Sequence, residues 1–293
     1  MKIGVPKALY YYYIEEYILF LKKLGVTIVS YETDKEIINK GLNYGDEMCL
    51  SLKIFLGHVA ALAPNCDYIL IPNIKNYGRF NQMCVNFQSL YNLVSNLFDV
   101  KILTYEIDYL NKKFEYDACL KIGRFLGFTD KKIRSCYREA SIVYKSNLKS
   151  KIMEQENKLN SKNKKILVVA HPYNIYDKYV GKPIIDYLES MNVELIYSFL
   201  FDPLKTNLLS NYVSSDLYWK YSKENLGSIV LCKEKIDGIL FFTTFPCGLD
   251  SFVNELAIRK IKKPYLNLIV DDMDGLTGFI TRLESFVDII EQA

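Results

Sequence analysis

The 293-residue sequence contains no Cys-x-x-Cys pair and no ferredoxin-type cysteine spacing, so no single local segment can hold a metal cluster. It also lacks a Gly-rich phosphate loop of the Walker kind and a Gly-x-Gly-x-x-Gly after a strand, which argues against ATP hydrolysis by this chain. A charge excess is missing too. Thirty-seven Lys and Arg against 34 Asp and Glu leave +3, too little to argue for nucleic acid or for an anionic membrane. The apolar runs are short and interrupted, far from the roughly 20 residues that cross a bilayer. Met1-Lys2-Ile3-Gly4-Val5 reads as a strand from the outset, so no signal peptide is expected and a cytoplasmic location is. Seven cysteines, an odd number, argue against a disulfide framework.

Half of the residues are apolar and 24% are charged, enough for a substantial core. Short β-branched or aromatic runs alternate with segments of helical periodicity, the pattern of βαβ units and a parallel sheet. The spacing predicts strands at Ile3–Val5, Val26–Ser30, Tyr68–Ile71 and Val100–Thr104, then again at Ile166–Ala170, Glu194–Ser198, Gly238–Phe242 and Tyr265–Leu268. The intervals match between the halves, and Asp67-Tyr68-Ile69-Leu70-Ile71 corresponds to Asp237-Gly238-Ile239-Leu240-Phe241. The expected architecture is α/β: two similar four-stranded lobes, 1–111 and 165–293, joined by a helical connector, 112–164. Within the connector, Thr129 or Asp130 is a plausible N-cap for one long helix from about Lys131 to Leu159.

Three cysteines stand out in this frame. Cys49, Cys84 and Cys247 each sit where a loop runs into a helix, and the partial positive charge of a helix N-terminus favours thiolate. Cys84 and Cys247 follow the third strand of their halves, at the carboxyl edge where open parallel sheets bind ligands. Three such thiolates form a ligand set for a soft metal centre, iron–sulfur first among them. The alternative is that all three are small buried hydrophobes. His58, nine residues past Cys49, and His171, at the end of the fifth strand, are either site residues or packing and turn residues. Lys53 is a counter-charge to a thiolate or a solvated lysine. Asp250 and Ser251 read as caps at a helix start. Of the run Tyr10-Tyr11-Tyr12-Tyr13, some rings face the core and some the surface. With no basic stripe beside them, they do not suggest nucleic-acid binding.

Longer stretches carry a family resemblance. Ile3-Gly4-Val5-Pro6-Lys7-Ala8-Leu9, Cys49-x-x-x-Lys53 with Gly57-His58-Val59, and His171-Pro172-Tyr173-Asn174-Ile175-Tyr176-Asp177 are three of them. Leu217-Tyr218-Trp219, Phe245-Pro246-Cys247-Gly248-Leu249-Asp250-Ser251 and Thr281-Arg282-Leu283-Glu284-Ser285-Phe286 are the others. In the same order along the chain, these resemble the acyl-CoA dehydratase activase-related proteins, which belong with the 2-hydroxyacyl-CoA (2-hydroxyglutaryl-CoA) dehydratase subunits. The resemblance implies flavodoxin-like lobes and a [4Fe–4S] cluster held in an interlobe cleft by Cys49, Cys84 and Cys247, with one iron open. It also implies a separate ATP-dependent activator protein that delivers a low-potential electron. Cys66, Cys119, Cys136 and Cys232 match no cysteine of that pattern. The sequence departs from it at Ser51, Val85 and Leu249, where the family has proline after each ligand cysteine. It departs again in Asp271-Asp272-Met273-Asp274-Gly275-Leu276-Thr277-Gly278, where Met273 stands for a histidine and Leu276 for a glutamate.

The expectation is therefore an iron–sulfur protein acting in low-potential electron transfer, or as a reductase or dehydratase-like component. Cys49, Cys84 and Cys247 would be its metal ligands, and His58 and His171 further cofactor-binding residues. Its expected partners are the activator protein, an acyl-CoA or other small-molecule substrate and, as a homodimer, a second copy of the chain; neither nucleic acid nor membrane is among them. The rival reading is a cluster-free, two-lobed binding or scaffold protein that keeps the fold.

Overall fold

The computed structural model describes residues 1–11, 15–45, 47–271 and 275–292. The chain divides into two units, Met1–Asn147 and Leu148–Ala293. The first unit holds strands β1 (Lys2–Gly4), β2 (Thr27–Val29), β3 (Tyr68–Asn76) and β4 (Ile102–Asp108), all parallel, in the order β2-β1-β3-β4. The second holds β5 (Lys165–Val169), β6 (Glu194–Tyr197), β7 (Gly238–Thr244) and β8 (Tyr265–Val270), parallel and in the equivalent order β6-β5-β7-β8. All eight expected strands are present, within a few residues of their expected ends.

The central strands explain why a parallel sheet forms. Lys165-Ile166-Leu167-Val168-Val169 and Gly238–Thr244 are buried at every position, because helices cover both faces. In each sheet the chain leaves the first strand to one side and later returns to its other side. β1 and β5 are therefore the strands at which the order reverses, the crevice where such sheets take ligands. Part of the tyrosine excess is structural. Tyr17 stacks on Tyr105 in the first core, with centroids 4.1 Å apart and planes at 20°.

The two units share more than topology. The backbone N–H of Lys2 donates to Asp67 Oδ2 at 2.7 Å, and that of Lys165 donates to Asp237 Oδ2 at 2.7 Å. Each aspartate returns its own N–H to the carbonyl of the same residue at 2.9 Å. The connection from the second strand to the third also matches. It contains the Lys35–Leu42 and Leu50–Leu62 helices in the first unit, and the Pro203–Ser210 and Lys220–Cys232 helices in the second. The second helix of each pair runs 13 residues and carries a buried lysine at its fourth position, Lys53 or Lys223, and a glycine at its eighth, Gly57 or Gly227. Both glycines lie against the backbone of the preceding helix. A Cβ on Gly57 would fall 2.0 Å from Ile37 O, and one on Gly227 1.8 Å from Thr206 O.

The long helix expected after Thr129 is present as Asp130–Leu159, with Thr129 Oγ1 accepting the Lys132 N–H at 3.4 Å. Among the described residues, no helix is long and apolar enough to cross a membrane. Tyr12, Tyr13 and the centre of the acidic stretch, Asp272-Met273-Asp274, lie outside the described residues.

Candidate functional site

The three singled-out cysteines stand where the sequence suggested, each at a helix N-cap. Cys49 precedes Leu50–Leu62, Cys84 precedes Val85–Gln88 and Cys247 precedes Gly248–Lys260, and none caps through a side-chain hydrogen bond. In the first unit Asn86, two residues past Cys84, reaches Cys49, its Nδ2 donating to Cys49 Sγ at 3.8 Å. In the second unit the Cys247 thiol helps to hold the carboxyl of Asp250, three residues on, below its ordinary pKa.

His58 is fully buried. Its Nε2 meets Thr33 Oγ1 at 3.0 Å, while its Nδ1 has no hydrogen-bond partner among the described residues. Burial lowers its pKa to about 4, so it is neutral at pH 7. Lys53 is not the solvated lysine the sequence allowed; it is only 6% exposed.

The second unit assembles the richer group. His171 ends the run of β5, and its Nε2 lies 3.3 Å from Asp250 Oδ1 on the helix that follows β7. Desolvation of the deeply buried Asp250 opposes its ionisation. The His171 ring and the Cys247 thiol outweigh that and hold the carboxyl below its ordinary pKa. An ionised carboxylate can only accept, so the His171 proton sits on Nε2. Asp250 is thus a partner of His171 rather than a helix cap, and Ser251 Oγ donates back to the Cys247 carbonyl at 2.9 Å. The His171 ring stacks on Tyr173, with centroids 5.0 Å apart and planes at 6°, and meets the edge of Tyr221 at 6.1 Å. Lys220 pairs with Glu224 and lies over the Tyr221 ring at 4.5 Å. Lys223 is buried, and desolvation lowers its pKa. Asn225 accepts from Ser198 Oγ at 2.7 Å at the end of β6.

None of Tyr221, Lys223, Glu224 or Asn225 was flagged by the sequence reading. A signal existed: Lys53-Ile54-Phe55-Leu56-Gly57 and Lys223-Glu224-Asn225-Leu226-Gly227 share the pattern Lys-x-x-Leu-Gly at equivalent places in the two halves.

The remaining cysteines are core thiols or edge thiols. Cys119, Cys136 and Cys232 are buried, and Cys232 Sγ donates to the Ser228 carbonyl at 3.0 Å, with burial pushing its pKa up to about 12. Cys66 lines an open cavity of about 560 Å³ with Asp67, Asp99 and Lys101. That cavity is at the amino edge of the first sheet, opposite the edge where such folds take ligands.

Removing the Asp250 carboxylate tests this geometry. Asp250→Asn should lower stability by about 1–3 kcal/mol, the cost of unsettling a buried hydrogen-bonded group, as measured by urea unfolding at pH 7. Because the folded pKa lies below the ordinary 3.8, the wild-type contribution is present above that value and lost as pH falls through the folded pKa. The difference between wild type and Asp250→Asn should therefore shrink only in strong acid.

A family model described as "CoA enzyme activase uncharacterised domain" matches residues 2–199, more than half of the chain. The chain belongs to this family. The matched span covers the whole first unit and the β5–β6 part of the second, His171 and Tyr173 included; Tyr221, Cys247 and Asp250 lie beyond it. No curated protein and no solved structure matches the chain.

These findings correct the expectation of an iron–sulfur electron-transfer or reductase component. The family description places the chain with activases, and among the described residues no group of three or more His, Cys, Asp or Glu is arranged to hold a metal ion.

Proposed function

We propose that the chain acts on the activator side of the ATP-dependent activation of a CoA-dependent enzyme, with the carboxyl edge of the second sheet as its ligand site. The observation that carries this reading is the activase family match over residues 2–199. The resemblance to proteins grouped with 2-hydroxyacyl-CoA dehydratase subunits supports a dehydratase as the enzyme activated, and the cytoplasm, where acyl-CoA thioesters and ATP occur, as the place. The sequence carries neither of the two common phosphate-loop motifs. The chain therefore supplies recognition, and hydrolysis falls to a separate chain or domain.

The second unit supports the choice of site. His171, fixed by Asp250, stands at the strand where the sheet order reverses, between aromatic rings and the lysine-bearing first turn of Lys220–Cys232. The test is the rate of CoA-thioester turnover in an ATP-dependent activation mixture containing wild type or His171→Ala. The variant should lower the activated rate by about tenfold or more, the usual cost of losing a positioned polar group in a binding site. A folded His171→Ala that activates like wild type would remove the site from this reading.

A further inference from the structure

The Pro203–Ser210 helix of the second unit turns an apolar stripe to solvent. Leu204 is 81% exposed, Leu208 72% and Tyr212, just past the helix end, 65%. The N–H groups of Tyr212 and Val213 donate to the Leu209 and Ser210 carbonyls at 3.0 and 2.9 Å. The winding therefore continues through Tyr212, and the three side chains share one face at i, i+4 and i+8. We propose that this face docks an amphipathic helix of a partner polypeptide, apolar along one row and acidic beside it. Three large side chains at those exposures form a patch on the order of a few hundred Å², the size that marks an interaction site. A stable dimer buries about 800 Å² per copy. The spacing fits a helix, whose own anchors recur one turn apart.

The first unit serves as an internal control. Its Lys35–Leu42 helix is the counterpart of Pro203–Ser210. Ile37 and Gly41 are buried as Thr206 and Ser210 are, and the carbonyls of Ile37 and Thr206 each face the glycine of the following helix. In that alignment Leu204, Leu208 and Tyr212 take the places of Lys35, Asn39 and Asn43, all exposed. The shared frame therefore needs no apolar residue at these places. What the second unit adds there is three large apolar groups that its own core does not use.

The charges beside the stripe select the partner. Lys205 stands where the first unit has Glu36, and Leu209 where it has Lys40. Glu36 and Lys40 pair with each other at 2.7 Å, whereas among the described residues no carboxylate pairs with Lys205. Lys233 lies over the Tyr212 ring at 5.3 Å. Lys260 Nζ donates to the Val213 carbonyl at 2.6 Å and has no carboxylate partner among the described residues. Residues 203–213 contain neither Asp nor Glu. Glu234, 3.9 Å from Lys233, and Asp202, whose Oδ1 accepts the Leu204 N–H at 2.9 Å, offset part of this charge. Three lysines against these two carboxylates leave a cationic rim, which Asp and Glu flanking an apolar row complement. A second copy of the chain would set one cationic rim against another.

Fluorescence anisotropy on the purified full chain tests this with two synthetic helical peptides of about 18 residues, long enough to hold a helix. Both carry one row of leucines on an alanine background; the row is flanked by glutamate in one peptide and by lysine in the other. The glutamate peptide should bind tighter than the lysine peptide by about tenfold or more, and about 1 M salt should close most of that gap. Leu208→Asp should weaken the glutamate peptide by about tenfold or more. Asn39→Asp, the same new residue at the matching place of the first unit, should leave it near wild type. Lys205→Glu should shrink the preference for glutamate by about fivefold. Leu208 and Lys205 are both exposed, so neither change disturbs the core. Sedimentation of wild type and Leu208→Asp reads out a second copy on the same face. Four results would overturn the proposal. These are neither peptide bound at about millimolar concentration, equal affinity for the two, a Leu208→Asp chain that binds like wild type, or a wild-type dimer that Leu208→Asp takes apart.

Discussion

Gly227→Ala should cost the second unit about 3 kcal/mol or more, and Gly57→Ala should do the same to the first. The added Cβ would meet backbone, Thr206 O at 1.8 Å and Ile37 O at 2.0 Å, where real contacts are never closer than about 3 Å. A side chain could swing aside, but a carbonyl inside a helix cannot. The two helices must part by about an ångström, which opens the interior packed around Leu226 and Leu56, both fully buried. Against this, alanine gains about 1 kcal/mol in helix propensity over glycine. The clash therefore dominates, and it is large against the 5–15 kcal/mol that typically stabilises a domain. Gly248→Ala is the control. Among the described residues no atom beyond its own stretch of helix lies within 4 Å of its added Cβ, so it should be neutral or stabilising by up to about 1 kcal/mol. Urea unfolding of the three variants decides the matter, and a Gly227→Ala protein as stable as wild type would mean that the helices are not packed in this way.

Acid should destabilise the first unit through His58 well above the range where ordinary carboxylates titrate. The folded pKa, about 4, lies below the ordinary 6.5, so between those values the unfolded chain binds a proton that the folded one does not. Stability from this group is complete above pH 6.5 and falls as pH drops to about 4. At about 1.4 kcal/mol per pH unit, the loss across the window is about 3 kcal/mol. The physical cause is burial, which outweighs the opposing charges of Asp34 and Glu32; among the described residues the ring's hydrogen-bond partner is the Thr33 hydroxyl. His58→Gln does not titrate, so near pH 5 its stability should depend on pH less steeply than that of wild type, by up to about 1.4 kcal/mol per pH unit. Parallel pH profiles for the two proteins would show that His58 is exposed to water or already charged.

The fold was legible because its signals are local and repeated. Each strand is a short β-branched or aromatic run, and Asp67 and Asp237 mark equivalent strand starts by hydrogen-bonding the first residues of β1 and β5. The helix caps at Cys49, Cys84 and Cys247 were legible for the same reason. The site was less so, because its members meet only through tertiary packing. Nothing local indicates that Asp250 turns from its own helix to His171, 79 positions away, or that Lys53 is buried rather than solvated. The sequence reading went furthest astray in the iron–sulfur function it drew from the cysteines. Placing a thiol at a helix start says where it is. It does not say whether its neighbour is a metal, an amide such as Asn86 or a carboxylate such as Asp250. The Lys-x-x-Leu-Gly repeat was the better pointer, since it marks the frame on which the two units differ.

The most direct test of the proposed function is add-back in extracts of cells that lack this chain, with CoA-thioester turnover by the dehydratase as the readout. Turnover should be low in the extract, should stay low with the purified chain alone or ATP alone, and should return when both are added. Turnover that is normal without the chain, or that the chain restores with no ATP present, would contradict its place on the activator side.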